Sequence, residues 1–142
     1  MRSVVHVRTL GLVIAGGAIG VLARELLLLP VEARALPWAT LAVNIVGSLL
    51  LGVVVGWLDD RHPQARAFLG TGVMGGFTTY SAFAVASAGF LGAGTGGASF
   101  GAATLLIAAS VLGGLLAAFV GLVIGRRIAD VPGELEDPED AR

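Results

Sequence analysis

Three stretches of this 142-residue chain carry no charged side chain: 9–23, 35–58 and 67–125. A helix that crosses a bilayer needs about 20 apolar residues at 1.5 Å each. The second stretch is therefore one span, expected at about 36–58. The third, about 60 residues, would reach about 90 Å as a single helix and must fold back. Between Ser87 and Gly101 glycines stand at 89, 92, 94, 96, 97 and 101 and no hydrophobic period survives, so the turn is expected there. That divides the third stretch into spans at about 67–87 and 101–125. The first becomes a full span if it runs to Leu29, at about 9–29, and it then carries Arg24 and Glu25 near its far end. The expected fold is an all-α integral membrane protein with four transmembrane helices in one domain, 1–129. Residues 130–142 hold six acidic residues and two prolines and read as a disordered, cytoplasmic acidic tail.

Charged residues make up 13% of the chain, against roughly a quarter in soluble domains, which excludes a soluble enzyme of ordinary class. A formal net charge of −1, with no basic run longer than Arg126–Arg127, excludes a nucleic-acid partner. The chain has no cysteine, so thiolate metal sites and cysteine nucleophiles are absent. His6 and His62 lie in a flank and a loop, without a partner at metal-ligand spacing. There is no P-loop, no G-x-S-x-G and no carboxylate pair within a span, so no catalysis is expected. Arg2 and Arg8 before an apolar stretch resemble a signal peptide, but the run lacks a clean cleavage site and continues to Leu29, so it reads as a retained helix.

Four spans place both termini on one side, together with Arg2, Arg8, Arg61, Arg66, Arg126 and Arg127. The other side holds Arg34 and, if outside the membrane, Arg24. Basic residues near spans favour the cytoplasm, so both termini are expected there.

Polar residues within spans are few. Thr40, Asn44 and Ser48 recur at i, i+4 and i+8 on the second helix, and Gly52 and Gly56 continue the line. Ser48 and the glycines read as helix packing. Asn44 reads as functional, since a carboxamide must satisfy two donors and two acceptors in a dry place. On the third helix, Gly75-Gly76-Phe77-Thr78-Thr79 joins poor helix formers in mid-membrane. A break there frees carbonyls for an alkali cation and amides for an anion. An unbroken helix with a glycine packing notch is the plainer alternative. Arg24 reads either as a snorkelling end residue or as an anion-attracting vestibule. Ser110 is the one hydroxyl between Thr104 and Gly125, where Gly113, Gly114 and Gly121 read as packing surface.

Three stretches occur in order on the first three helices: Gly16-Gly17-x-x-Gly20-x-x-Ala23-Arg24, Pro37-x-x-Thr40-Leu41-x-x-Asn44-x-x-Gly47-Ser48 and Gly75-Gly76-Phe77-Thr78-Thr79-Tyr80-Ser81-x-Phe83. Together they resemble the Fluc (CrcB-type) fluoride channels over about 120 residues. The resemblance implies an antiparallel dimer, a structural Na⁺ at its centre and two narrow fluoride pathways. By it, the backbone carbonyls of Gly75 and Thr78 hold Na⁺. Asn44 donates to the passing ion, and the aromatics Tyr80 and Phe83 present ring edges, which are the positive part of the ring. Thr79, Ser81 and Ser110 add polar lining, with Arg24 and Thr40 in vestibule or structural roles. Tyr80, Ala82, Ala86 and Leu106 depart from the family pattern and thin the lining of one pathway.

The expected function is a passive fluoride-selective channel in a bacterial inner membrane, in contact with lipid. It lets cytoplasmic fluoride out and so lowers its toxicity. The arginine bias favours one insertion direction, so the expected partner is a homologous second subunit of opposite bias. Two rivals stand beside this reading. A small proton-coupled multidrug transporter needs a protonatable carboxylate deep in a span, and Glu25, the one candidate, lies near a helix end. A non-transporting membrane scaffold subunit needs only the glycine packing faces.

Overall fold

The computed structural model describes residues 7–33, 35–58, 62–79 and 97–130, and the regular structure among them is all helical. Helix α1 spans Val7–Leu28 and α2 spans Leu36–Leu58. The third helix is composite. A first turn, α3 (Pro63–Arg66), runs into a π-helical stretch, π1 (Ala67–Met74), and a closing turn, α4 (Gly75–Phe77). The last helix, α5, is Gly97–Ala129. Three of these contain segments long and apolar enough to cross a membrane: Val7–Leu28, Leu36–Leu58 and Ile107–Ala129.

The bounds of α2 match the expectation, and the others shift. The third helix starts at Pro63 rather than 67, because a proline at the first helical position supplies a preset φ and lacks only an N–H that would be orphaned anyway. Arg66 therefore lies in a helix, not in the connecting loop. Helix α5 begins at Gly97, so the last five residues of the expected glycine turn are helical. A glycine costs a helix only about 1 kcal/mol, which the hydrogen-bonded ladder of a long helix offsets. The same helix runs on to Ala129 and carries Arg126 and Arg127 in its last turn, where positive charge suits the carbonyl end. The rest of the expected 67–87 span, the remainder of the turn and tail residues 131–142 lie outside the described residues.

Packing inverts the pattern of a soluble core. Apart from Leu58, the buried helical residues are small or hydroxylic: Gly16, Gly20, Gly47, Gly52, Gly56, Gly70, Gly72, Gly121, Gly125 and Thr40. Among the described large apolar side chains only Leu58 is buried, while Leu112, Leu115, Leu116 and Phe119 stay 62–67% exposed. Lipid gives leucines no reason to hide, so helix association rests on close backbone approach, which glycine permits.

That approach joins the helices in two pairs. A Cβ at Gly16 would strike the Phe68 carbonyl, one at Gly20 the Val73 carbonyl, and one at Gly76 the Gly17 carbonyl. A Cβ at Gly52 would strike Ala118 O, at Gly56 Leu122 O, at Gly121 Leu49 O and at Gly125 Val53 O. Along any one helix the contacted residue number rises with the glycine's own, from Gly16 and Phe68 to Gly20 and Val73 and from Gly52 and Ala118 to Gly56 and Leu122. Helix α1 therefore runs parallel to the third helix and α2 parallel to α5. The predicted packing roles of Gly52, Gly56 and Gly121 are these contacts. Arg8, Arg66, Arg126 and Arg127 consequently share one end of the bundle, with Arg24 toward the other.

Trp38 and Trp57, each about half exposed, stand near the two ends of α2. Their separation of about 28 Å along the axis matches a hydrocarbon core of about 30 Å, and tryptophan favours the interface. This belt sets the apolar band in which the site lies.

Candidate functional site

The third helix stops inside that band. From Pro63 to Phe77 it covers roughly 20 Å, too short to cross alone. At Thr78 the backbone turns extended, with φ −80° and ψ 146°. The Thr78 N–H and its Oγ1 both donate to Met74 O, at 3.0 and 2.9 Å, so that carbonyl accepts twice. Hydroxyl back-bonding of this kind loosens a helix end.

Asn44 completes the interruption. Its Oδ1 accepts from Thr79 N at 2.9 Å, and its Nδ2 donates to Thr79 O at 3.1 Å. In an unbroken helix the Thr79 N–H would bond to Gly75 O. The carboxamide captures that donor, so the Gly75 carbonyl loses its helical partner. Gly75 also has open space on its Cβ side, with nothing within 4 Å. Nδ2 retains a second proton beyond the one given to Thr79 O. Asn44 lies about 9 Å along α2 from Trp38, well inside the apolar band.

Arg24 approaches the same break from α1. Its Nη1 donates to Gly76 O at 3.4 Å, while Nε and Nη2 donate to Glu25 Oε1 at 3.2 and 2.9 Å. The guanidinium side chain is 15% exposed and that of Glu25 is 62% exposed. Arg24 is thus a charge-balanced brace on one of the last carbonyls of the third helix. Sequence reasoning missed it because the 52-residue separation leaves no local signal.

Thr40 is buried one turn before Asn44, and Thr79 is buried at the bracket itself. The predicted polar line on α2 divides. Asn44 turns to the break, whereas Ser48 Oγ lies against Gly114 on α5. On α5, Ser110 Oγ is buried without a hydrogen-bond partner. A hydroxyl so placed is left to meet something outside the described protein atoms. Tyr80, Ser81, Ala82, Phe83 and Ala86 lie outside the described residues, as does the side chain of Leu106. Among the described residues, no group of three or more His, Asp or Glu stands together as a metal cage.

Apolar helices of spanning length, with a helix interruption whose backbone groups are held by a carboxamide and a guanidinium, define a multi-pass membrane protein. The CrcB-like protein, Camphor Resistance (CrcB) family matches residues 11–122 of the chain, which covers α1 through most of α5. This protein belongs to that family. It is 46% identical over 95 residues to a fluoride-specific ion channel FluC of Novosphingobium aromaticivorans, covering 66% of this chain and 72% of the relative. The FluC of Hyphomonas neptunium is 45% identical over 125 residues, 82% of this chain and 94% of the relative. A fluoride-specific ion channel named FluC 2 in Bacillus subtilis is 40% identical over 121 residues, 84% and 88% of the two chains.

Proposed function

We propose that this protein is a subunit of a fluoride-selective channel that lets cytoplasmic fluoride leave the cell. The observation that carries the reading is the Asn44 bracket at Thr79, in a chain whose relatives are named as fluoride channels. Fluoride is small and strongly hydrated, so a selective path must replace water with donors. Asn44 offers its second Nδ2 proton, Ser110 its unpartnered hydroxyl, and Thr79 and Ser81 polar lining. Tyr80 and Phe83 offer the positive edges of their rings. Because hydrogen fluoride enters neutral and dissociates inside, a passive anion exit lowers the internal concentration without catalysis.

The same break fits a structural Na⁺. A hard cation takes oxygen ligands, and the Gly75 carbonyl has lost its helical donor to Asn44. Gly75 and Thr78 carbonyls would hold the ion, and its charge would tie two interrupted helices together. Thr40 and Arg24 support the fold around it.

In this reading the chain crosses the inner membrane four times, with both termini cytoplasmic. It forms an antiparallel dimer with a homologous second subunit of opposite charge bias. Six arginines at one side oppose insertion in the inverted direction. The test is growth of a fluoride-hypersensitive bacterial host, with the chain expressed alone and with its genomic homologue. A reporter fused to the C-terminus reads topology. Restored growth with a single cytoplasmic reporter signal supports the reading. No protection under either condition overturns it, and full protection by the chain alone with reporters on both sides overturns the unlike partner.

A further inference from the structure

We infer that Gly47 on α2 and the methyl group of Thr78 form a lock that fixes the direction of the Thr78 carbonyl at the break. Thr78 is β-branched, so once Oγ1 bonds to Met74 O at 2.9 Å the place of Cγ2 follows from a staggered χ1. That place is the empty side of Gly47. A Cβ built there would come 2.5 Å from Thr78 Cγ2 and 3.1 Å from Phe77 Cδ1. Real carbon atoms do not approach so closely, so glycine at 47 and threonine at 78 are matched halves of one contact.

Asn44 lies three residues earlier on the same face of α2. It grips both backbone groups of Thr79. Helix α2 therefore clamps the peptide after Thr78 with one residue and seats the Thr78 side chain with another. Between the two clamps the Thr78 carbonyl has little freedom to swing. Serine at 78 would keep the hydroxyl bond but lose the seated methyl. Gly47 and Thr78 are positioning residues, and neither is assigned a contact with the ion through its side chain.

The contact suggests its own cure. Gly47→Ala crowds one methyl, and Thr78→Ser removes that methyl while leaving the bond to Met74 O. The experiment compares wild type, Gly47→Ala, Thr78→Ser and the double variant, reading fluoride efflux from proteoliposomes and melting temperature in detergent. Gly52→Ala, alone and with Thr78→Ser, is the control, since its Cβ would strike the Ala118 carbonyl on α5 instead. The expected loss in Gly47→Ala is about ten-fold in flux, corresponding to an overpacking cost of about 1.4 kcal/mol. The double variant should recover most of the way to the level of Thr78→Ser alone, in flux and in melting temperature, short only by the remaining contact with Phe77 Cδ1, while Gly52→Ala stays unrescued. If Gly47→Ala gives no folded protein, recovery of folded yield in the double variant is the same result. Three outcomes overturn the lock: wild-type behaviour of Gly47→Ala, no recovery in the double variant, or equal rescue of Gly52→Ala. The flux readout rests on the fluoride-channel reading. A wild type that moves no fluoride sinks that reading, while the melting temperatures still decide the lock.

Discussion

Replacing Asn44 by aspartate changes one atom and reverses the electrostatics of the site. The retained oxygen can still accept from Thr79 N, the bond seen at 2.9 Å. The other position, which now donates to Thr79 O at 3.1 Å, becomes an acceptor facing an acceptor. Losing that bond and leaving the carbonyl unmatched costs about 1–3 kcal/mol. The larger effect falls on the ion. A carboxylate 4 Å from fluoride repels it by about 4 kcal/mol at an effective dielectric constant of 20, close to a thousand-fold in occupancy. Asn44→Asp should therefore abolish fluoride efflux from proteoliposomes, measured with a fluoride electrode where wild type conducts. Asn44→Ala separates the two effects, because it removes both bonds to Thr79 without adding charge. Efflux from Asn44→Asp within about three-fold of wild type, far less than the Coulomb term demands, would refute the placement of Asn44 beside the ion.

Gly75→Val sets a branched side chain beside the carbonyl proposed to hold Na⁺, with room for it within one subunit, so it should lower dimer yield and flux together while the subunit still folds. The wild type should lose dimer on removal of Na⁺, and indifference to Na⁺ would contradict the carbonyl site. Glu25→Gln should leave flux nearly unchanged, because the carboxylate is mostly exposed and its pair with Arg24 is worth at most about 1 kcal/mol. Loss of all transport in that variant would instead favour the proton-coupled transporter. Arg24→Ala should lower the melting temperature more than Glu25→Gln does, since it also removes the brace on Gly76 O, and equal effects would discount the brace. Gly121→Ile should prevent α2 and α5 from closing, at a cost of several kcal/mol. Preserved folded yield would show that the Leu49 carbonyl is not in close contact.

The helices were legible because charge is so thinly distributed. The free run 35–58 predicts α2 almost to the residue, since only a helix satisfies its own backbone in lipid. The glycines misled. Gly97 and Gly101 signal a turn by the usual rules, yet α5 passes through both, because a glycine costs a helix only about 1 kcal/mol and does not by itself end one. Asn44 stood out as a carboxamide among apolar neighbours, but its partner did not. Thr79 is 35 residues away, and a side-chain bond to backbone leaves no trace in composition. Arg24 was visible as a charge near a helix end, while its contact with Gly76 depends on α1 lying parallel to the third helix. That direction is written only in which glycines face which carbonyls.

The central claim is that the Asn44-held break belongs to a path for fluoride. Proteoliposomes loaded with potassium fluoride or potassium chloride, containing this chain alone or with the proposed second subunit, test it directly when valinomycin is added to balance charge. The account predicts rapid fluoride release and chloride retention matching protein-free vesicles. Fluoride release no faster than from empty vesicles, or equal release of both anions, would contradict it.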